Sequence, residues 1–193
     1  MKRTAIILLL ILINCKNETV NTVENTVNSE VNAKNTIDQS VTDMWQSYTS
    51  SNPEFKNDDM PESSYFHNNE ADANRLAELV VSGKKKAGSG LYYMYKEAKV
   101  DLPRSGTKHI ITNFSGKAKA IIEIVKVDTI PFNKITKEYA SIDIGTNIEP
   151  LKKWRKAHWD FFSSVFIDSN KKPTENMLVV CEWFKTIWIN NDM

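Results

Sequence analysis

The stretch "NMLVVCEWFKTIWI", residues 176 to 189, constrains the fold more than any other part of this chain. Its β-branched and aromatic content predicts a long strand. Both alternating faces are apolar, which implies burial within a sheet or a closed barrel rather than a place on the surface. One residue interrupts the pattern. Glu182 alternates with Leu178, Val180, Phe184 and Trp188, so its carboxylate points into the space of large apolar groups. A buried, unpaired carboxylate is costly. Glu182 is therefore expected to meet a lysine, a hydroxyl or backbone donors, or to have a raised pKa. Glu123 in "AIIEIVKV" presents the same case, alternating with Ile121 and Val125. Membership of a structural ion pair is the competing reading for both acids.

The elements before this strand follow from periodicity and punctuation. Ile37, Val41, Met44, Trp45 and Tyr48 recur every three or four residues and predict a short docking helix. "NNEADANRLAELVVSG" predicts a second helix, with a capping asparagine, Glu70 and Asp72 in its first turn, and Gly83 at its end. Pro103 and Gly106 mark a turn before the β-rich "KHIITNF", and Ser115-Gly116 supports a hairpin into "KAKAIIEIVKVDTI". A short helix fits "FNKITKEYA". In "EPLKKWRKAHWDFFSSVFID", Pro150 opens a helix whose stripe of Leu151, Trp154, His158, Phe161, Phe162 and Val165 packs on a sheet.

Residues 83 to 90, "GKKKAGSG", sit at the carboxy-terminal end of the second helix. Gly83 and Gly88 have the separation of a nucleotide-binding phosphate loop, but Ser89 stands where its lysine belongs, so that motif is not met. Lys84, Lys85 and Lys86 otherwise read as cations compensating a helix end on a solvated surface.

The amino terminus has a different texture. Lys2 and Arg3 precede the apolar run "TAIILLLILI", which is too short to span a bilayer as a mature helix and reads as an export signal over 1–15. "LINC" resembles a bacterial lipoprotein processing box, with Cys15 as the lipidated residue; an ordinary secretory signal or an uncleaved anchor is the other reading. Residues 16 to 40 are mostly Asn, Thr, Val, Glu and Ser, without an aromatic residue, and read as a tether. Val20, Val23, Val27 and Val31 fall at helical spacings and allow a weak amphipathic helix there. The domain then spans 41–193. Localisation at the cell envelope follows, or secretion if Cys15 is unmodified.

Several chemistries lack their residues. With Cys15 and Cys181 the sole cysteines, no disulfide framework is expected. His67, His109 and His158 are far apart in sequence and no Cys-x-x-Cys occurs, so neither a metal nor a cofactor is expected. His158 reads first as a packed histidine. The formal net charge of +1 announces no global nucleic-acid field, so any basic site is local.

Taken in order, Trp45 and Tyr48, "ADANRLAELVVSGKKKA", "LPRSGT", "AIIEIVKVDTIPF", "EYA", "LKKWRKAHWDFF" and "VVCEWFK" resemble the ASCH family over about residues 40–189. The resemblance implies an α+β fold: a small, curved, PUA-like β-barrel with covering helices and a cleft beside a helix. It implies RNA, a nucleotide or a modified nucleoside as partner. Hydrolysis of an acetylated cytidine or of RNA is the alternative activity, and an envelope lipoprotein without activity is a third. The family's Gly-x-Lys-x-x-Thr motif lines the cleft; Gly83 and Lys85 match it, whereas Gly88 replaces the threonine and Ser89 follows. Asp143 and Gly145 in "SIDIGTN" remain from an acidic-glycine stretch. Lys85, Glu182 and Glu123 are the resulting catalytic candidates. Lys84, Lys86, Ser89, Tyr93, Trp154 and His158 are the binding candidates, with Tyr92 and Tyr95 as further stacking surfaces.

Overall fold

The structure, a computed structural model, describes residues 37–167 and 171–189. The export signal, Cys15 and the tether up to residue 36 lie outside the described residues.

The expected closing strand is β5, Leu178–Ile189. It is an inner strand, antiparallel to β4 (Ala118–Pro131) on one side and to β2 (Ala87–Leu91) on the other. β3 (Lys108–Thr112) follows β4, and β1 (Ser63–Ser64) pairs in parallel at the edge, so the order is β1-β3-β4-β5-β2. Val179, Val180, Cys181 and Phe184 are all buried, as a strand covered on both faces requires. The β4–β5 register shifts between Ile121 and Ile122 and again between Ile124 and Lys126. Such bulges bend a sheet and increase its twist. The result is an α+β domain, a curved five-stranded sheet covered by helices.

Local chemistry sets the helix ends. α1 (Gln39–Ser51) starts where the Asp38 carboxylate accepts the Ser40 N–H, and it buries Val41, Met44, Trp45 and Tyr48 against Ile110 and Ile121. Ile37 falls before the cap and stays exposed. α2 (Glu70–Val81) is capped by Asn69, which accepts the Asp72 N–H, and buries Ala73, Ala77 and Val80. α4 (Lys137–Ile144) is capped by Thr136 and stopped by Gly145. That glycine has φ +70°, and a Cβ there would lie 3.1 Å from Leu79, so the position needs glycine for both conformation and space. α5 (Pro150–Val165) buries Trp154 and Phe162, which join Phe132, Tyr139, Val179 and Cys181 in the largest core cluster. Removing such an aromatic side chain from water is worth about 1.5–3 kcal/mol.

Three elements escape a reading of periodicity. β2 is "AGSGL", whose glycines carry no strand propensity; it is a strand because β5 pairs with all five of its residues. β1 is two serines held by β3. α3 (Tyr92–Ala98) has none of its residues fully buried and follows β2 without a loop.

Candidate functional site

The lysine loop turns inward because two consecutive amides, those of Lys84 and Lys85, both donate to the Leu79 carbonyl at 2.9 Å. Gly83, at φ +67°, permits the turn. Lys84 and Lys86 face solvent, so the reading of a solvated cationic surface holds for these two. It fails for Lys85, which is only 4% exposed. The Lys85 Nζ donates to Asp143 Oδ1 at 2.5 Å and to the Asp143 carbonyl at 2.7 Å, and it stands 4.6 Å from the centre of the Phe66 ring.

Asp143, at the end of α4, is the hub. Its Oδ2 accepts the Ser89 hydroxyl at 2.6 Å and the Trp154 indole N–H at 2.7 Å, with His158 Nε2 at 3.4 Å. One carboxylate thereby ties together the lysine loop, β2, α4 and α5. Burial opposes its ionisation, but the adjacent Lys85 and His158 charges and their hydrogen bonds outweigh that cost and hold it well below the usual carboxylate range. His158 Nδ1 lies 2.9 Å from the Trp154 carbonyl, which only accepts, so Nδ1 is the donor and Nε2 faces Asp143. The imidazole stacks on the Trp154 indole at 4.2 Å. Ser89 Oγ also lies 3.0 Å from the Tyr139 hydroxyl, which donates to the Gly88 carbonyl.

A cavity of about 140 Å³ opens above this network. Lys85, Ser89, Asp143 and His158 form its polar floor, and Phe66, His67 and Phe161 an aromatic wall. Arg75 and Asp72 stand beside Leu76 on the α2 side, joined to each other at 2.8 Å. His67 holds a left-handed backbone at φ +69°, unusual for a non-glycine residue, and its ring packs 5.2 Å from Phe161. Burial pushes the His67 pKa down.

The structure thus brings together Lys85, Ser89 and His158 from the expected set and separates the others. Glu182 is buried as expected and accepts the Tyr95 hydroxyl at 3.0 Å, but it does not line the cavity. Glu182 stands opposite Gly88 and Cys181 opposite Ser89, so Glu182 shares the Gly88 face of the sheet, where Tyr95 takes up its carboxylate. Burial first, and then the Asp143 charge, raise its pKa to about 7 against the opposing Tyr95 bond and Lys85. Glu123 corrects differently. It stands directly opposite Lys185 in the β4–β5 register and pairs with it at 2.8 Å, the structural ion pair of the competing reading. Trp154 is fully buried and supports the cavity from behind, through its bond to Asp143 and its stacking on His158. Tyr93 packs on Phe166 beneath Lys171, and Tyr95 is tied to Glu182, so neither is on the cavity wall. At Gly88, where a threonine is expected, a Cβ would point at Phe66, 3.6 Å away. The residue that sequence reasoning left out of the site is Asp143, whose signal was its survival beside Gly145 in "SIDIGTN". Phe66, His67, Arg75 and Phe161 gave no signal as a group.

A curved sheet with helices over it, and a cleft whose buried lysine comes from the turn after a helix, define a PUA-like α+β domain. The chain belongs to the ASCH domain family, whose model matches residues 62–188. It is similar to the crystal structure of an ASCH domain from Lactobacillus crispatus JV V101, with 29% identity and a TM-score of 0.71 over 78% of this chain and 95% of that one. Protein EF3133 from Enterococcus faecalis V583 is also similar, with 29% identity and a TM-score of 0.69 over 77% and 88%. Among curated proteins none matches.

Proposed function

We propose that the cavity binds one nucleobase-sized ring, presented by a modified nucleoside, a nucleotide or a single-stranded RNA. The observation that carries this reading is an aromatic wall facing a polar floor across about 140 Å³. Ligand pockets commonly enclose roughly 300–1,000 Å³, so this one has room for a ring and not for a whole nucleotide. Phe161 and His67 supply stacking faces, and the Lys85–Asp143–Ser89 floor supplies donors and acceptors to a base edge. Membership in the ASCH family, associated with RNA, points the same way. Calorimetric titration with cytidine, N4-acetylcytidine and a short single-stranded RNA tests the reading. Saturable binding is expected, weakened about tenfold by Phe161→Ala through loss of stacking; no binding by any of the three overturns it.

Hydrolysis is the second reading, favoured by one contact: Ser89 Oγ, in the cavity, lies 2.6 Å from an Asp143 oxygen. A carboxylate held so far below its usual range is a poor proton acceptor at neutral pH, which weighs against an activated serine and in favour of binding. Turnover of N4-acetylcytidine that Ser89→Ala abolishes and Glu182→Gln preserves would reverse that order. A companion proposal concerns the amino terminus: Cys15 is lipidated and holds the domain at the cell envelope. It rests on the "LINC" pattern after the apolar run, and Cys15→Ser is expected to move the protein from the membrane to the soluble fraction.

A further inference from the structure

From the exposed side of α5 we infer that this helix is a docking face for an anionic lipid surface, independent of the cavity and of any amino-terminal anchor. Between Glu149 and Asp160 the helix carries Lys152, Lys153, Arg155 and Lys156 against only those two carboxylates. Lys152 and Lys156 are each 79% exposed; they pair with Glu149 at 3.1 Å and Asp160 at 2.7 Å, solvent-exposed ion pairs that contribute little and that an anionic surface can outcompete. Large apolar side chains stand out at both ends of the same element: Ile148 is 70% exposed just before α5 and Ile167 is 77% exposed just after it. Ile148 and Ile167 thus bracket the basic stretch at the two ends of α5. Trp154 and Phe162 hold the other side of α5 in the core, which fixes the direction the lysines point.

Cations flanked by protruding isoleucines match a bilayer better than they match RNA. Phosphates of a nucleic acid would use the lysines but leave two exposed apolar groups without a partner, whereas a bilayer takes the isoleucines at its acyl boundary and the lysines at its headgroups.

Lysine footprinting of the full chain tests the inference. The protein is treated with an amine-reactive ester in the presence of vesicles of phosphatidylglycerol and phosphatidylcholine in equal parts, of phosphatidylcholine alone, or of single-stranded RNA, and labelled lysines are read by mass spectrometry. On the anionic vesicles, labelling of Lys152, Lys153 and Lys156 is expected to fall several-fold. Lys56, beside the cluster that α1 covers, should label as before. Protection should fade at high salt and weaken in the Ile148→Ser, Ile167→Ser double variant, whose surface positions leave folding intact. Equal labelling with both kinds of vesicle, equal protection at Lys56, or protection by RNA alone overturns it.

Discussion

Glu182 shows what one buried acid does to a small domain. Burial raises its pKa from an ordinary 4.5 to about 7, so the folded state holds the proton more tightly than the unfolded chain does. Its contribution is therefore full in acid, and stability declines as pH climbs through the interval up to about 7. The difference is worth about 3 kcal/mol. Glu182→Gln keeps an acceptor for Tyr95 and removes the charge, so urea unfolding should find it more stable than the parent by about that amount above neutrality, and similar in acid. Asp143 has the opposite sign. Its depressed pKa stabilises the fold above the usual carboxylate range and is lost as pH falls. Asp143→Asn leaves the Lys85 ammonium buried beside a neutral amide and should cost about 3–5 kcal/mol in the same measurement. That Glu182 would need a hydroxyl or a raised pKa was legible from alternation alone. That Lys85 would find Asp143, 58 positions away, was not.

Among the elements, α5 does most to place the site, since Trp154, His158 and Phe161 deliver a hydrogen bond, a ring nitrogen and a stacking face from successive turns. Trp154→Phe keeps the ring and loses the N–H to Asp143, and a loss of about 1.5–3 kcal/mol is expected by thermal unfolding, as for a bond to a charged group. Gly145→Ala tests how α4 ends against α2; with a positive φ and Leu79 at 3.1 Å, it should destabilise by at least about 1 kcal/mol. The cap of α2 was legible as an asparagine, because a cap is chemistry within three residues, whereas Asp38 and Thr136, which cap α1 and α4, were not singled out. β2 was not, because "AGSGL" has no side chains that ask for a strand. Glu123 was misdirected because its cross-strand neighbour, Lys185, is set by the β4–β5 register, which a period-two pattern in one strand does not show.

For the molecule as a whole, the family match begins at residue 62, yet α1 lies before it and is part of the core. Its Val41, Met44, Trp45 and Tyr48 cover Ile110, Ala118 and Ile121 on the sheet. At about 1.5–3 kcal/mol per side chain, this helix contributes as much as the net stability of many small domains. A chain starting at Pro53 is therefore expected to lose cooperative unfolding in a calorimetric scan, and one starting at Ile37 to keep it. By itself the sequence determined the two ends of α2, the Pro150 start of α5, the doubly covered closing strand and the glycine of the lysine turn, since caps, periodicity and φ preference act within a few residues. Only the tertiary structure decided which acid answers Lys85 and which face of the sheet Glu182 takes. Both depend on strand register and on helices meeting across the core, where burial makes a charge costly until a partner from a distant segment meets it, a demand that no preference of the local chain can answer.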